Sequence, residues 1–126
     1  MTDLPGLYRA YIACLNARDW PSLGRYVSDD ARHNGRPLGL SGYRAMLEAD
    51  VEAIPDLRFD IALLLSDPPH VASRLRFDCT PRGMLFGLPV NGRRVSFTEI
   101  VIYEFRDARI TEVWSVIDTD AIRAQL

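Results

Sequence analysis

The sequence predicts an α+β domain in which three N-terminal helices pack against a strongly curved antiparallel sheet. Three observations carry that expectation. Apolar residues recur at helical spacing up to about residue 54, and at strand alternation from about residue 57 onward. The two kinds of segment do not interleave, and segregated helices and strands indicate α+β. The length, 126 residues, suits a single domain spanning 1–126, with no internal repeat or linker.

The elements follow in order. Leu4, Leu7, Tyr8, Tyr11, Ile12 and Leu15 share one helical face, which predicts a helix from about Leu4 to Arg18 with Pro5 in its first turn. Asp19 can cap a short second helix, Trp20 to Val27. His33-Asn34-Gly35-Arg36-Pro37 breaks the pattern. Ser41 is placed to cap a third helix that runs to Ile54 and stops at Pro55. Strands are expected at Leu57–Ser66, Val71–Cys79, Val95–Phe105 and Ile110–Asp118. Pro81 to Gly92 reads as an irregular apolar connection. Arg106-Asp107-Ala108-Arg109 reads as a tight hairpin loop, and Thr119–Leu126 as a short helical tail. A curved sheet wrapped against helices can enclose a cavity.

Composition narrows the partners. The formal net charge is −2, and the 15 basic residues, all Arg, are scattered. No strong field favours nucleic acid or an anionic membrane. No apolar run approaches the roughly 18 residues of a membrane span, and the N-terminus lacks the pattern of a signal peptide. A cytoplasmic location is therefore the default expectation. Cys14 and Cys79 form no disulfide framework and no metal-ligand spacing, so no metal site is expected. Both read as small buried hydrophobes.

Three polar residues stand out. Asp50 falls on the apolar stripe Tyr43, Met46, Leu47, Val51, Ile54 of the third helix. It either bonds an Arg or a backbone N–H at the stripe's edge, or looks into a ligand cavity. Asp118 follows Ile110, Glu112, Trp114 and Val116 on one strand alternation. It is either a raised-pKa acid or base in an apolar site, or the cap of the tail helix. His33 lies just before the third helix, where it is either structural or functional. The expected cavity lining is Tyr11, Met46, Asp50, Phe86, Leu88 and Trp114. Ile100 and Ile102 lie opposite Val101 and Tyr103, so both faces of the last strands are apolar. That predicts a homodimer through the outer face of the sheet.

The segment Gly83-Met84-Leu85-Phe86-Gly87-Leu88-Pro89-Val90-Asn91-Gly92-Arg93-Arg94-Val95 resembles the SnoaL-like polyketide (ester) cyclases of the nuclear transport factor 2-like superfamily. Tyr103 to Trp114 resembles the family's last hairpin, with Ala108 where a Gly is usual, and Trp114 with Asp118 resembles its Trp-x-x-x-Asp ending. His33-Asn34-Gly35, Gly42-Tyr43 and Ile54-Pro55-Asp56-Leu57 also fall where the family has similar residues. The resemblance implies a cone closed by three helices over an apolar pocket. It implies intramolecular aldol chemistry on an apolar polyketide-like substrate, with Asp118 as acid/base and no metal or organic cofactor. Pro81 and Val113 stand where many relatives have His.

Three functions compete at this level. One is a cyclase or isomerase that moves protons on an apolar carbonyl compound. Another is a non-catalytic ligand-binding or dimerisation module. The third is an epoxide-hydrolase-like enzyme in which Asp50, Asp118 and Arg74 or Arg76 form an Asp-Arg-Asp set.

Overall fold

The computed structural model describes residues 3–126. Helix α1, Leu4–Asn16, starts at Asp3, whose carboxylate accepts from the Gly6 N–H, and carries Pro5 in its first turn. Its buried residues are Leu4, Tyr8, Tyr11, Ile12, Cys14 and Leu15, while Leu7 of the predicted stripe is only partly buried. The expected second helix is a 3₁₀ helix, Trp20–Arg25. Helix α2, Gly39–Ala53, begins two residues before Ser41, so Ser41 lies inside the first turn and does not cap it. Its N-cap position is Leu38, which offers no side-chain acceptor.

Eight strands follow the helices or lie between them. They are β1 Val27–His33, β2 Arg36–Pro37, β3 Asp60–Asp67, β4 His70–Cys79, β5 Met84–Leu85, β6 Leu88–Pro89, β7 Val95–Arg106 and β8 Arg109–Ile117. Six form one sheet in the order β2-β1-β8-β7-β4-β3, while β5 and β6 make a small separate hairpin. All pairs are antiparallel except β1 with β8, which is parallel. The curved sheet and the N-terminal helices together form the α+β cone. Helix α3, Thr119–Ala124, closes the chain with Ile122 fully buried.

Strand β1 has no counterpart in the expected order. Its sequence, Val27-Ser28-Asp29-Asp30-Ala31-Arg32-His33, buries only Val27 and Ala31. Their spacing of four suits a strand face and a helix stripe equally and so selects neither, and the register with β8 shifts between Val27 and Arg32. Pairing with β8 holds this segment in place, not a hydrophobic pattern of its own.

Two bulges decide which side chains face inward. In β8, Glu112 sits opposite Glu104 but Ile110 sits opposite Phe105, so Thr111 is the extra residue. Inward residues therefore run Ile110, Val113, Ser115, Ile117. In β3 the register slips between Ile61 and Leu63, which turns Leu63 and Leu65 outward, 51% and 59% exposed. Strand β7 has no such break inside its inward series, which is Val95, Phe97, Glu99, Val101, Tyr103 and Phe105. With α1 and the inward residues of β4 these side chains form one core. Truncating a fully buried member such as Leu75 to Ala costs roughly 2–5 kcal/mol.

Candidate functional site

Between α1, α2 and the concave face of the sheet lies a cavity of about 440 Å³, within the range of small-molecule sites. Helix α1 contributes Tyr11 and Leu15; α2 contributes Tyr43, Met46, Leu47 and Asp50. The turn after β1 contributes His33, Asn34 and Arg36, and the β5–β6 turn Leu85 and Phe86. The sheet supplies Leu75 and Phe77, then Phe97, Glu99, Val101 and Tyr103, then Val113, Ser115 and Ile117. Aromatic rings pack along one wall, with Phe77 and Phe97 5.1 Å apart and Phe86 edge-on to Phe97 at 6.3 Å. A larger groove of about 620 Å³ lies on the surface among Asp30, Arg32, Arg106 and Arg109. Its walls are mostly charged side chains.

Two carboxyls enter the apolar cavity. Asp50 lines the cavity while its residue stays exposed, and desolvation of the part facing the walls raises its pKa to about 6. Glu99 is more buried and is pushed up to about 7. Burial is the main cause, the charge of Asp50 adds to it, and a hydrogen bond from Ser115 draws it partly back. Neither carboxyl belongs to any ion pair among the described residues. The two interact, so they titrate as a pair that holds about one proton near neutral pH.

A tyrosine cluster lies beside them. The hydroxyls of Tyr11 and Tyr43 are 2.7 Å apart, and Tyr8 donates to Tyr103 at 3.4 Å. Burial raises the pKa of all four, Tyr8 to about 12, so they are neutral donors. In the Tyr11–Tyr43 bond one hydroxyl donates, which leaves the other's O–H free. The Tyr103 hydroxyl likewise accepts from Tyr8 and keeps its own hydrogen. His33 is held neutral by burial and by Arg36, both of which lower its pKa. Its Nε2 lies 3.4 Å from Ser115 Oγ, and its Nδ1 is buried without a partner. Among the described residues no three His, Cys, Asp or Glu side chains converge as metal ligands do.

The structure brings together Tyr11, His33, Met46, Asp50 and Phe86. It does not bring in the other three expected residues. Asp118 is exposed at the N-cap of α3, where its carboxylate accepts from the Ala121 N–H at 3.1 Å. Trp114 lies on the outer face, 43% exposed. Both displacements have one cause, the bulge at Thr111, which reverses the parity of β8. Leu88 packs on the core from β6 without lining the cavity. Arg74 and Arg76 point outward from β4, so the Asp-Arg-Asp set does not assemble. Glu99 and Ser115 were missed. Glu99 had a sequence signal, because it is the one carboxylate in the inward alternation of β7. Ser115 had none, because its orientation depends on the bulge.

A model of the SnoaL-like polyketide cyclase family matches residues 6–126. A SnoaL-like polyketide cyclase of solved structure from Agrobacterium tumefaciens is 52% identical. The match covers 99% of this chain and 98% of that one, with a TM-score of 0.98. IdmH, a proposed polyketide cyclase from Streptomyces antibioticus, is 20% identical over 98% of both chains, with a TM-score of 0.84. AclR, a proposed hydroxylase from Streptomyces galilaeus, is 22% identical over 98% of this chain and 94% of that one, with a TM-score of 0.78. These last two likenesses are of fold. No curated protein matches the chain significantly.

Proposed function

The chain belongs to the SnoaL-like polyketide cyclase family, and from that premise we propose a cofactor-free cyclase or isomerase for an apolar, polyketide-like carbonyl compound. The observation that carries this reading is the Asp50–Glu99 pair, two uncompensated carboxyls in an aromatic cavity beside neutral tyrosine hydroxyls. Proton abstraction next to a carbonyl needs a base near neutral pKa, a donor for the developing oxyanion and a source of the returning proton.

The pair divides these roles by depth. Asp50 has the lower pKa and is the ionised base near pH 7. It takes a proton from the carbon α to the carbonyl; the C–H electron pair becomes the C=C bond of the enolate and the carbonyl π pair moves onto the oxygen. The free O–H of Tyr11 or Tyr43, or that of Tyr103, donates to that oxygen. For isomerisation, the enolate is reprotonated at another carbon. For an aldol closure, it attacks a second carbonyl, whose oxygen takes the proton of Glu99. A ligand that expels water from the cavity raises both carboxyl pKa values further.

The test uses 2-tetralone, an apolar cyclic ketone, in D₂O. The protein is expected to speed deuterium uptake at the α-carbons, and Asp50→Asn to reduce that rate roughly 10²–10⁴-fold. Wild-type exchange no faster than buffer would sink the reading. The outer face of the sheet completes the proposal. Ile100, Ile102, Trp114 and Val116 lie there 41–71% exposed, and the pairs Ile100–Val116 and Ile102–Trp114 stand directly opposite each other. We assign this patch to a second copy of the chain.

A further inference from the structure

We propose that Phe86 is a specificity-determining residue, held at a backbone cost by the β5–β6 turn so that its ring forms the outer wall against which a bound ligand packs. The inference rests on the reading of the cavity as the ligand site. It goes beyond that reading by giving the small hairpin a role in selecting how far a ligand extends from the carboxyls.

The turn is built against local preference. Leu85 pairs with Leu88, which leaves Phe86 and Gly87 as a two-residue loop. Their φ values, +49 and +77, are the two positive values of a type I′ turn. Gly, Asn and Asp suit such positions, whereas a bulky side chain there strains the backbone. Six described residues other than glycine have positive φ: Asn34, Asn91 and Asp107 are of the tolerated kind, Arg18 and Ala108 are not, and Phe86 is the one aromatic residue. Burial does not account for the choice, because Phe86 remains 54% exposed. Backbone strain that no packing explains gathers at ligand clamps.

The placement gives the ring a use. Phe86 lines the cavity while half of it stays in water, so it borders the cavity's edge. Its ring stands edge-on to Phe97, with 6.3 Å between centroids. Phe97 and Glu99 are two residues apart on the inward face of β7, roughly 6.5 Å along the strand. A single ring whose carbonyl meets Glu99 covers that distance, and a second, fused ring comes level with Phe97 and Phe86. The surface that Phe86 leaves in water is then buried against the ligand. The base of the hairpin is fixed: Leu85 and Val90 are buried. The Arg82 N–H donates to the Ala53 carbonyl at the end of α2 at 3.0 Å, and the Asn91 N–H to the Gly83 carbonyl at 2.9 Å. The tip is uncovered: beyond the chain neighbours, no atom lies within 4 Å of the place a Cβ on Gly87 would take.

NMR titration of the whole chain with two ketones tests this without an assay of turnover: 2-tetralone, which has a second ring, and cyclohexanone, which has none. Phe86→Ala should raise the Kd of 2-tetralone about tenfold and that of cyclohexanone less than about twofold, while Phe86→Tyr keeps both. Phe86→Gly removes the same ring. It should nevertheless unfold at a higher temperature than Phe86→Ala, the reverse of the usual order, because Gly adopts φ +49 without strain. An unchanged 2-tetralone Kd in Phe86→Ala, equal losses for the two ketones, or a wild-type protein that binds neither would overturn the proposal. Phe86→Ala unfolding above Phe86→Gly would overturn it as well. If the wild-type protein binds 2-tetralone with this dependence on Phe86 but catalyses no deuterium uptake, the catalytic reading falls and the role of Phe86 stands.

Discussion

Glu99 sits between Phe97 and Val101 on the inward face of β7, where every neighbour along the strand is apolar. Evolution of a purely structural core would place Val or Ile there, because a buried carboxyl without a cation costs stability whenever it is ionised. The sign is determinate. Glu99 and Asp50 have folded-state pKa values raised to about 7 and about 6. The folded state therefore binds more protons than the unfolded state in the range between ordinary carboxylate values and about 7. Stability falls as pH rises through that window. Glu99→Gln should be close to neutral at about pH 4 and stabilising by about 1–2 kcal/mol at about pH 8, read from urea unfolding at both pH values. Activity should be bell-shaped, since the base must be ionised and the acid protonated, with its maximum between the two pKa values. Asp118 behaves differently. Asp118→Ala removes the α3 cap, so it should cost about 1 kcal/mol and leave 2-tetralone exchange unchanged. The sequence disclosed Asp50 through its place on a helical stripe. It disclosed Asp118 only as an ambiguity between base and cap, and the capping geometry resolves the placement.

At the scale of elements, long periodic segments were legible and register was not. Helix α1 and strands β4 and β7 follow from spacing, because their buried positions keep one period from end to end even where Ser73 and Glu99 occupy them. The bulges in β3 and β8 insert one residue each and invert the alternation beyond them. No local residue preference announces either bulge, and so Trp114 was expected inside while Val113 and Ser115 were not. Strand β1 was invisible for a related reason: its two buried residues are too far apart to make a pattern. The β7–β8 hairpin offers a test of local strain. Asp107 and Ala108 have φ values of 52 and 64, the two positive values of a type I′ turn. Alanine in that region costs roughly 1–2 kcal/mol, and glycine would recover part of it against its own entropy. Ala108→Gly should therefore stabilise the protein by about 0.5–1 kcal/mol, seen as a higher midpoint in thermal unfolding.

At the scale of the molecule, the cone has a mixed interior and an apolar exterior patch. The patch runs across β7 and β8 through Ile100, Ile102, Trp114 and Val116, while Leu63 and Leu65 of β3 lie beyond β4, whose outward Arg74 and Ala72 stand between. A second copy seated there would hide it from water, and light scattering at micromolar concentration should give twice the chain mass. Trp114→Glu should shift the mass toward the monomer, and a wild-type monomer would refute the pairing. No helix among the described residues is long and apolar enough to cross a membrane. In the proposed function the inner surface carries the chemistry, and its defining property is two carboxyls whose pKa values desolvation raises beside an aromatic cavity. Site-resolved carboxyl ¹³C titration of the wild-type protein measures that property directly. The expected result is two coupled midpoints, near 6 for Asp50 and near 7 for Glu99. Two independent midpoints at ordinary carboxylate values would contradict it, because the cavity would then hold two charges at neutral pH and no acid to return the proton.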